Sequence, residues 1–396
     1  MGTSVPGTSG ARLLSLLTAE GLQTLGMRTL TARPALRWLV PLAVLLVVLA
    51  TFLATTRANA KAPLPEISAQ DLLVKVSESE VDGLSGTVVQ NADLGIPAIP
   101  GGSDSAGGEL TSLLSGSHTM RVWYGAPDQA RVAVNDQYAE TDVVTNGTDV
   151  WTYDSREKTA TKTVLPAGDE AGAGERKVPA GAPQTPQTPQ QAATEVLAKL
   201  TPTTDVRVDP EVTVAGRAAY DLVLTPRDSA TLVKQVRVAV DGENYTPLRV
   251  QVFGPDDKTA LDVSYTDIAF GQPDARMFAF NPPEGTKVTE KAVPERKEPT
   301  AAQKKELESR KAQAERDTTA VGEGWSTVVV TKLPSGATSS SDPTLKGFLS
   351  QLKPVSGAWG TGRELDGTVV TAILTDDGRL AVGAVNGEVL SQALAR

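Results

Sequence analysis

The sequence predicts an α+β protein, mainly antiparallel β, with an amino-terminal transmembrane helix and a small carboxy-terminal α/β module. Three observations predict this. An uncharged, almost wholly apolar run occupies residues 38–54. Many short β-branched segments follow it, parted by turn residues. No crossover helices separate those segments, so the strands should form an antiparallel meander.

The apolar run WLVPLAVLLVVLATFLA, extended by Thr55 and Thr56, approaches the roughly 20 residues that span a bilayer. Arg12, Arg28, Arg33 and Arg37 precede it, whereas Arg57 and Lys61 follow closely. That excess of positive charge on the amino side places residues 1–37 in the cytoplasm and exports everything after Ala60. Two readings of residues 38–56 stand side by side. Ala58-Asn59-Ala60 has the small-residue pattern of a signal-peptidase site, while the run exceeds the roughly 7–15 residues of an ordinary signal core. The segment is an anchor on one reading and a cleaved signal on the other. Met27 opens MRTLTARPALR, which reads as a signal n-region and as an alternative start.

Composition narrows the chemistry. The chain has 396 residues and a net charge of −9, and its Lys and Arg are scattered among the acids. A nucleic-acid partner would need a clustered basic face. The sequence holds no cysteine, which removes disulfides, thiolate metal sites and a lipidated cysteine anchor. Its single histidine, His118, excludes a metal site built on an imidazole pair within one chain. No phosphate-binding G-x-x-x-x-G-K-[ST] loop or Asp-rich calcium loop is present, so no cofactor is expected. Gly83-Leu84-Ser85-Gly86 breaks the G-x-S-x-G elbow of a hydrolase, and no enzyme activity is predicted.

Beyond the linker 62–65, Ile67, Leu72, Leu73 and Val76 recur at helical spacing, with Ser68 as N-cap. Residues 82–90 read as a strand, and the Gly/Pro/Ser-rich stretch 94–108 as a loop. From Ser117 to Leu165 the pattern is β. Asn146-Gly147 is its best turn, because both central residues of a type I′ hairpin need positive φ. The Pro/Gln-rich tract 166–190 reads as an insertion, followed by an amphipathic helix over 190–200. A second β run spans 206–270, its first part read as the separate segments 206–208 and 211–214. Residues 291–321 form a charged helical linker with almost no apolar stripe. The terminal module, 322–396, holds two strands about Asp376-Asp377-Gly378 and a last helix over 388–395.

Three stretches carry a family resemblance. They are VWYGAPDQARV (122–132), NGTDVWTYDSREKTATK (146–162), and PLRVQVF (247–253) with MFAFNPPEGTKV (277–288). In this order they resemble the LolA/LolB lipoprotein-carrier superfamily, including its RseB/MucB-like sigma-factor regulatory relatives. The resemblance implies an incomplete (half) β-barrel over residues 62–290, closed by covering helices over an apolar cavity. It implies a lipid- or lipoprotein-binding protein that holds acyl chains as carrier or sensor. The alternative is a regulator that binds a membrane anti-sigma factor. Met120, Val122, Tyr124, Val132, Val134, Trp151 and Tyr153 are the candidate lining residues of the cavity; an ordinary filled core is the competing assignment for each. Arg131 is placed by the resemblance at the cavity mouth, where it could latch a helix, and otherwise stands at an exposed edge. Trp325 and Trp359 mark either a partner surface or the small core of the terminal module.

Overall fold

The computed structural model describes residues 63–97, 115–126, 128–136, 139–165, 202–292, 301–333 and 343–396. The expected membrane segment, the Pro/Gln-rich tract and the helix over 190–200 lie outside them. No helix among the described residues is long and apolar enough to cross a membrane.

Helix α1 (Ala69–Ser77) starts where the capping residue dictates: the Ser68 hydroxyl accepts the amide of Asp71 at 3.0 Å. Its apolar side buries Leu72 completely, against Tyr220, Leu222 and Val240. Full burial of such a side chain stabilises by roughly 1.5–3 kcal/mol.

The strands that follow are β1 (Leu84–Asp93), β2 (Ser115–Ala126), β3 (Gln129–Asp136), β4 (Ala139–Asn146), β5 (Asp149–Asp154) and β6 (Thr159–Val164). Then come β7 (Thr204–Val214), β8 (Arg217–Pro226), β9 (Gln235–Asp241), β10 (Pro247–Phe253), β11 (Thr259–Phe270) and β12 (Lys287–Ala292). They make one sheet in the order β12-β6-β5-β4-β3-β2-β1-β11-β10-β9-β8-β7. Its two edge strands do not pair, so the sheet is open, as a half-barrel requires.

Two local departures from the sequence reading have physical causes. Residues 204–214 are one strand, broken in register between Asp209 and Val212, where Pro210 cannot donate to the ladder. The single parallel pair among the described residues, β6 with β12, was invisible to pattern because every residue of β12 is exposed. The β4–β5 hairpin forms, but Asn146 pairs with Asp149, so the turn residues are Gly147 and Thr148, and of these only Gly147 has positive φ (62°). The expected type I′ turn centred on Asn146-Gly147 is not the one formed.

The charged helix α2 (Ala301–Asp317) leads into a second sheet of β13 (Thr318–Val321), β14 (Val328–Lys332), β15 (Lys353–Gly357), β16 (Gly360–Asp366), β17 (Thr371–Thr375) and β18 (Arg379–Gly383). Its order is β13-β14-β18-β17-β16-β15, with α3 (Pro343–Gln351) before β15 and α4 (Gly387–Leu394) at the end. Asn386 caps α4, and Leu390 and Leu394 of that helix pack with Val328, Trp359, Ile373 and Ala381. Trp359 is thus a core residue, its indole N–H bonded to Ser391 at 3.0 Å. Trp325 does something else. Its indole N–H donates to the buried Thr204 hydroxyl of β7 at 2.7 Å, tying this module to the large sheet. The Leu232 amide to the Ala384 carbonyl (2.7 Å) and the Thr368 amide to the Leu94 carbonyl (2.8 Å) extend the same seam.

Candidate functional site

Side chains alternate across a strand, so the pairing register assigns each residue a face. The face that α1 covers carries Leu222, then Val238, Val250 and Val263 across β8, β9, β10 and β11. It continues through Gln90 of β1 to His118 of β2. On the same face of β1 to β4 lie Val88, Met120, Val122, Tyr124, Val132, Val134 and Val143. Among the described residues, helix α1 packs against β7, β8 and β9 and their flanking loop residue Tyr245. Val88 is buried and Met120, Val122, Val132 and Val134 are half-buried, whereas Val143 is 40% exposed. Past β4 this face turns polar, with Thr152, Thr161 and Thr163.

The opposite face is polar where it meets solvent. Arg237, Gln251, Asp262, Asn91 and Ser117 follow one another across β9, β10, β11, β1 and β2. The middle of the large sheet thus carries its aliphatic row on the helix-bearing side, while the opposite face holds a second buried cluster of Val214, Ala219, Ala239 and Leu248, and Val223 pairs there with Arg237.

The candidate lining residues consequently fall into two groups. Met120, Val122, Tyr124, Val132 and Val134 share the helix-bearing face. Arg131, Trp151 and Tyr153 stand on the other. There the segment after β11 folds back: Phe278 is 2% exposed beneath it, and the Phe280 ring lies 5.3 Å from Trp151 and 5.6 Å from Tyr153. Gly125 makes room for Phe278, because a Cβ there would stand 2.7 Å from the ring.

Arg131 is fully engaged. Its guanidinium donates to both carboxylate oxygens of Asp142, at 3.0 and 2.9 Å, and lies 5.4 Å from the Trp123 ring centroid. Glu140 is 3.9 Å from the same guanidinium. Burial, then the neighbouring Asp142 carboxylate, raises the Glu140 pKa above its ordinary value. These three residues, with Tyr153, Ser155, Ala279, Phe280, Asn281 and Pro283, line a cavity of about 450 Å³. Sequence reasoning missed Glu140, Asp142, Phe278 and Phe280. The available signals were the alternating Phe pair inside MFAFNPP and two carboxylates placed i, i+2 in the strand after Arg131.

The remaining singled-out groups are accounted for locally. His118 lies in β2 with its Nε2 3.0 Å from the Ser115 carbonyl. Asp376 accepts from Thr361, and Asp377 from Arg379 at 3.0 Å and from Thr375, so both fasten the β17–β18 turn. No group of three or more metal-ligating side chains occurs among the described residues.

No protein-family model matches the chain, and no curated protein matches it. Solved structures do. The MucA/MucB complex of Pseudomonas aeruginosa is similar at 15% identity and a TM-score of 0.40, over 83% of this chain and 96% of that one. A LolA superfamily protein of Nitrosomonas europaea is similar at 12% identity and a TM-score of 0.22, over 54% of this chain and 99% of that one. An uncharacterized conserved protein of Thermus thermophilus gives 14% identity and a TM-score of 0.31, over 56% and 99% respectively.

Proposed function

We propose that the chain is an extracytoplasmic lipid- or lipoprotein-binding protein, held at the membrane by residues 38–56 or released after Ala60. It takes up acyl chains without covalent chemistry, on the apolar face of the large sheet. One observation carries this reading: the apolar side chains of β1 to β4 continue the face that α1 covers, yet α1 reaches only β7 to β9. An apolar strip of this kind, on the face where α1 is the packing helix among the described residues, marks a surface for an apolar occupant. Each buried methylene adds about 0.8 kcal/mol, so a long hydrocarbon chain is retained by burial alone. Arg131, Trp151 and Tyr153 belong to the other face and serve this site only indirectly, by fixing β3 and β5. The amino-side excess of arginine supports export of the binding region.

The test is direct. The full chain, purified and extracted with organic solvent, should release lipid detectable by mass spectrometry, and the emptied protein should bind a fluorescent fatty acid. Extracts without lipid and no fatty-acid binding would contradict the proposal.

A second reading, a regulator gripping a membrane anti-sigma factor through the terminal module, is favoured by Val329. This residue is 42% exposed, pairs with Val382, and points away from the module's core residue Val328. Crosslinking in membranes should then recover that partner, and deletion of residues 322–396 should abolish recovery.

A further inference from the structure

We infer that the cavity between β3, β4, β5 and residues 279–283 is a binding site for an organic ammonium group. The site lies on the opposite side of the sheet from the apolar strip, because Arg131, Asp142 and Tyr153 alternate with Val132, Val143 and Thr152. It therefore stands apart from the lipid reading.

Three features select the ligand class. The first is charge. Within the lining one guanidinium, Arg131, faces two carboxylates, Asp142 and Glu140, an excess of one negative charge, and the positive charge of Arg121 on β2 also acts on Glu140. Arg131 is held through two hydrogen bonds by Asp142, so it is not available to an incoming anion. Glu140, 3.9 Å from that guanidinium and 46% exposed, is the carboxylate left to meet a cation from solvent. The second feature is aromatic. Tyr153 and Phe280 line the cavity with ring centroids 5.6 Å apart and planes inclined by 44°. Ring faces attract cations, most strongly organic ammonium ions already poor in hydration. The third is size and fixation. A cavity of about 450 Å³ falls within the roughly 300–1,000 Å³ of small-molecule sites. The Ser155 hydroxyl accepts the Glu140 amide at 2.6 Å, and its own proton stays available to a hydroxyl or phosphate beside the ammonium.

The experiment is calorimetric titration of the full chain with choline chloride and with 3,3-dimethylbutan-1-ol, the uncharged isostere. Choline should bind saturably in the millimolar range, and the alcohol at least tenfold more weakly. Glu140→Gln removes the surplus charge at a partly exposed position and should weaken choline at least fivefold with an unchanged urea midpoint. Phe280→Leu keeps the apolar contact, removes the ring face, and should weaken choline to a similar degree. A further arm uses dihexanoyl phosphatidylcholine: tighter binding than choline assigns the ammonium to a lipid headgroup, and equal binding assigns it to a free small molecule. Absence of saturable choline heat, an alcohol that matches choline, or full retention of binding in both variants would overturn the inference.

Discussion

Replacing Asp241 by Asn probes the buried electrostatics at the end of β9. Asp241 is fully buried. Its carboxylate is gripped through both oxygens by Arg217, and it accepts the backbone amides of Glu243 at 2.9 Å and Asn244 at 2.7 Å. Burial by itself would raise this carboxyl's pKa; the arginine and the two amides outweigh burial and hold it below the ordinary range. A depressed carboxyl stabilises the fold above its unfolded pKa of roughly 3.9, and that contribution is lost as pH falls through the lowered folded value. Asparagine keeps the shape, but it has no charge and turns an N–H₂ toward the guanidinium. Removing one partner of a buried pair costs about 3–5 kcal/mol. Arg217 is 21% exposed and keeps Glu243 at 2.9 Å, so the low end applies, about 3 kcal/mol at pH 7. Urea unfolding at pH 7 and at about pH 2.5 measures this, with the difference between wild type and variant expected to be smaller in acid. An equal loss at both pH values would refute the electrostatic reasoning.

Three further substitutions test the packing. Leu72→Ala empties the anchor of α1 and should cost about 2–5 kcal/mol in urea unfolding. Ser68→Ala removes the cap of the same helix and should cost about 1 kcal/mol, measured in the same way. Gly125→Ala drives a methyl into the Phe278 ring and should cost about 1–3 kcal/mol, partly recovered in the double variant with Phe278→Leu.

Much of the fold was legible because its signals are local. Ser68 caps α1, Gly147 turns the β4–β5 hairpin, and Asp377-Gly378 turns β17 into β18, each through chemistry contained in a few residues. The polar edge strand β12 was not legible. Its residues bury nothing, and only its pairing with β6 makes it a strand. Pro210 hid the continuity of β7 by interrupting the alternation at the register break.

The candidate site was legible in composition but not in sidedness. A one-residue change of register exchanges the two faces of a strand, so no single sequence could separate Val132 from Arg131. The pairing of β3 with β2 and β4 does so, and it sends Arg131 to Asp142. Phe280 was missed for a related reason: its partners, Trp151 and Tyr153, lie more than a hundred residues earlier in the chain.

The absence of native cysteine makes the decisive measurement simple. Val132→Cys and Thr119→Cys, each labelled with acrylodan, report separately on the helix-bearing and the polar face. Titration with oleate should shift the emission of the Val132→Cys conjugate to the blue, saturably, and leave the Thr119→Cys conjugate unchanged. An unresponsive probe at position 132, or equal shifts at both positions, would mean that hydrocarbon does not enter the apolar side of the sheet.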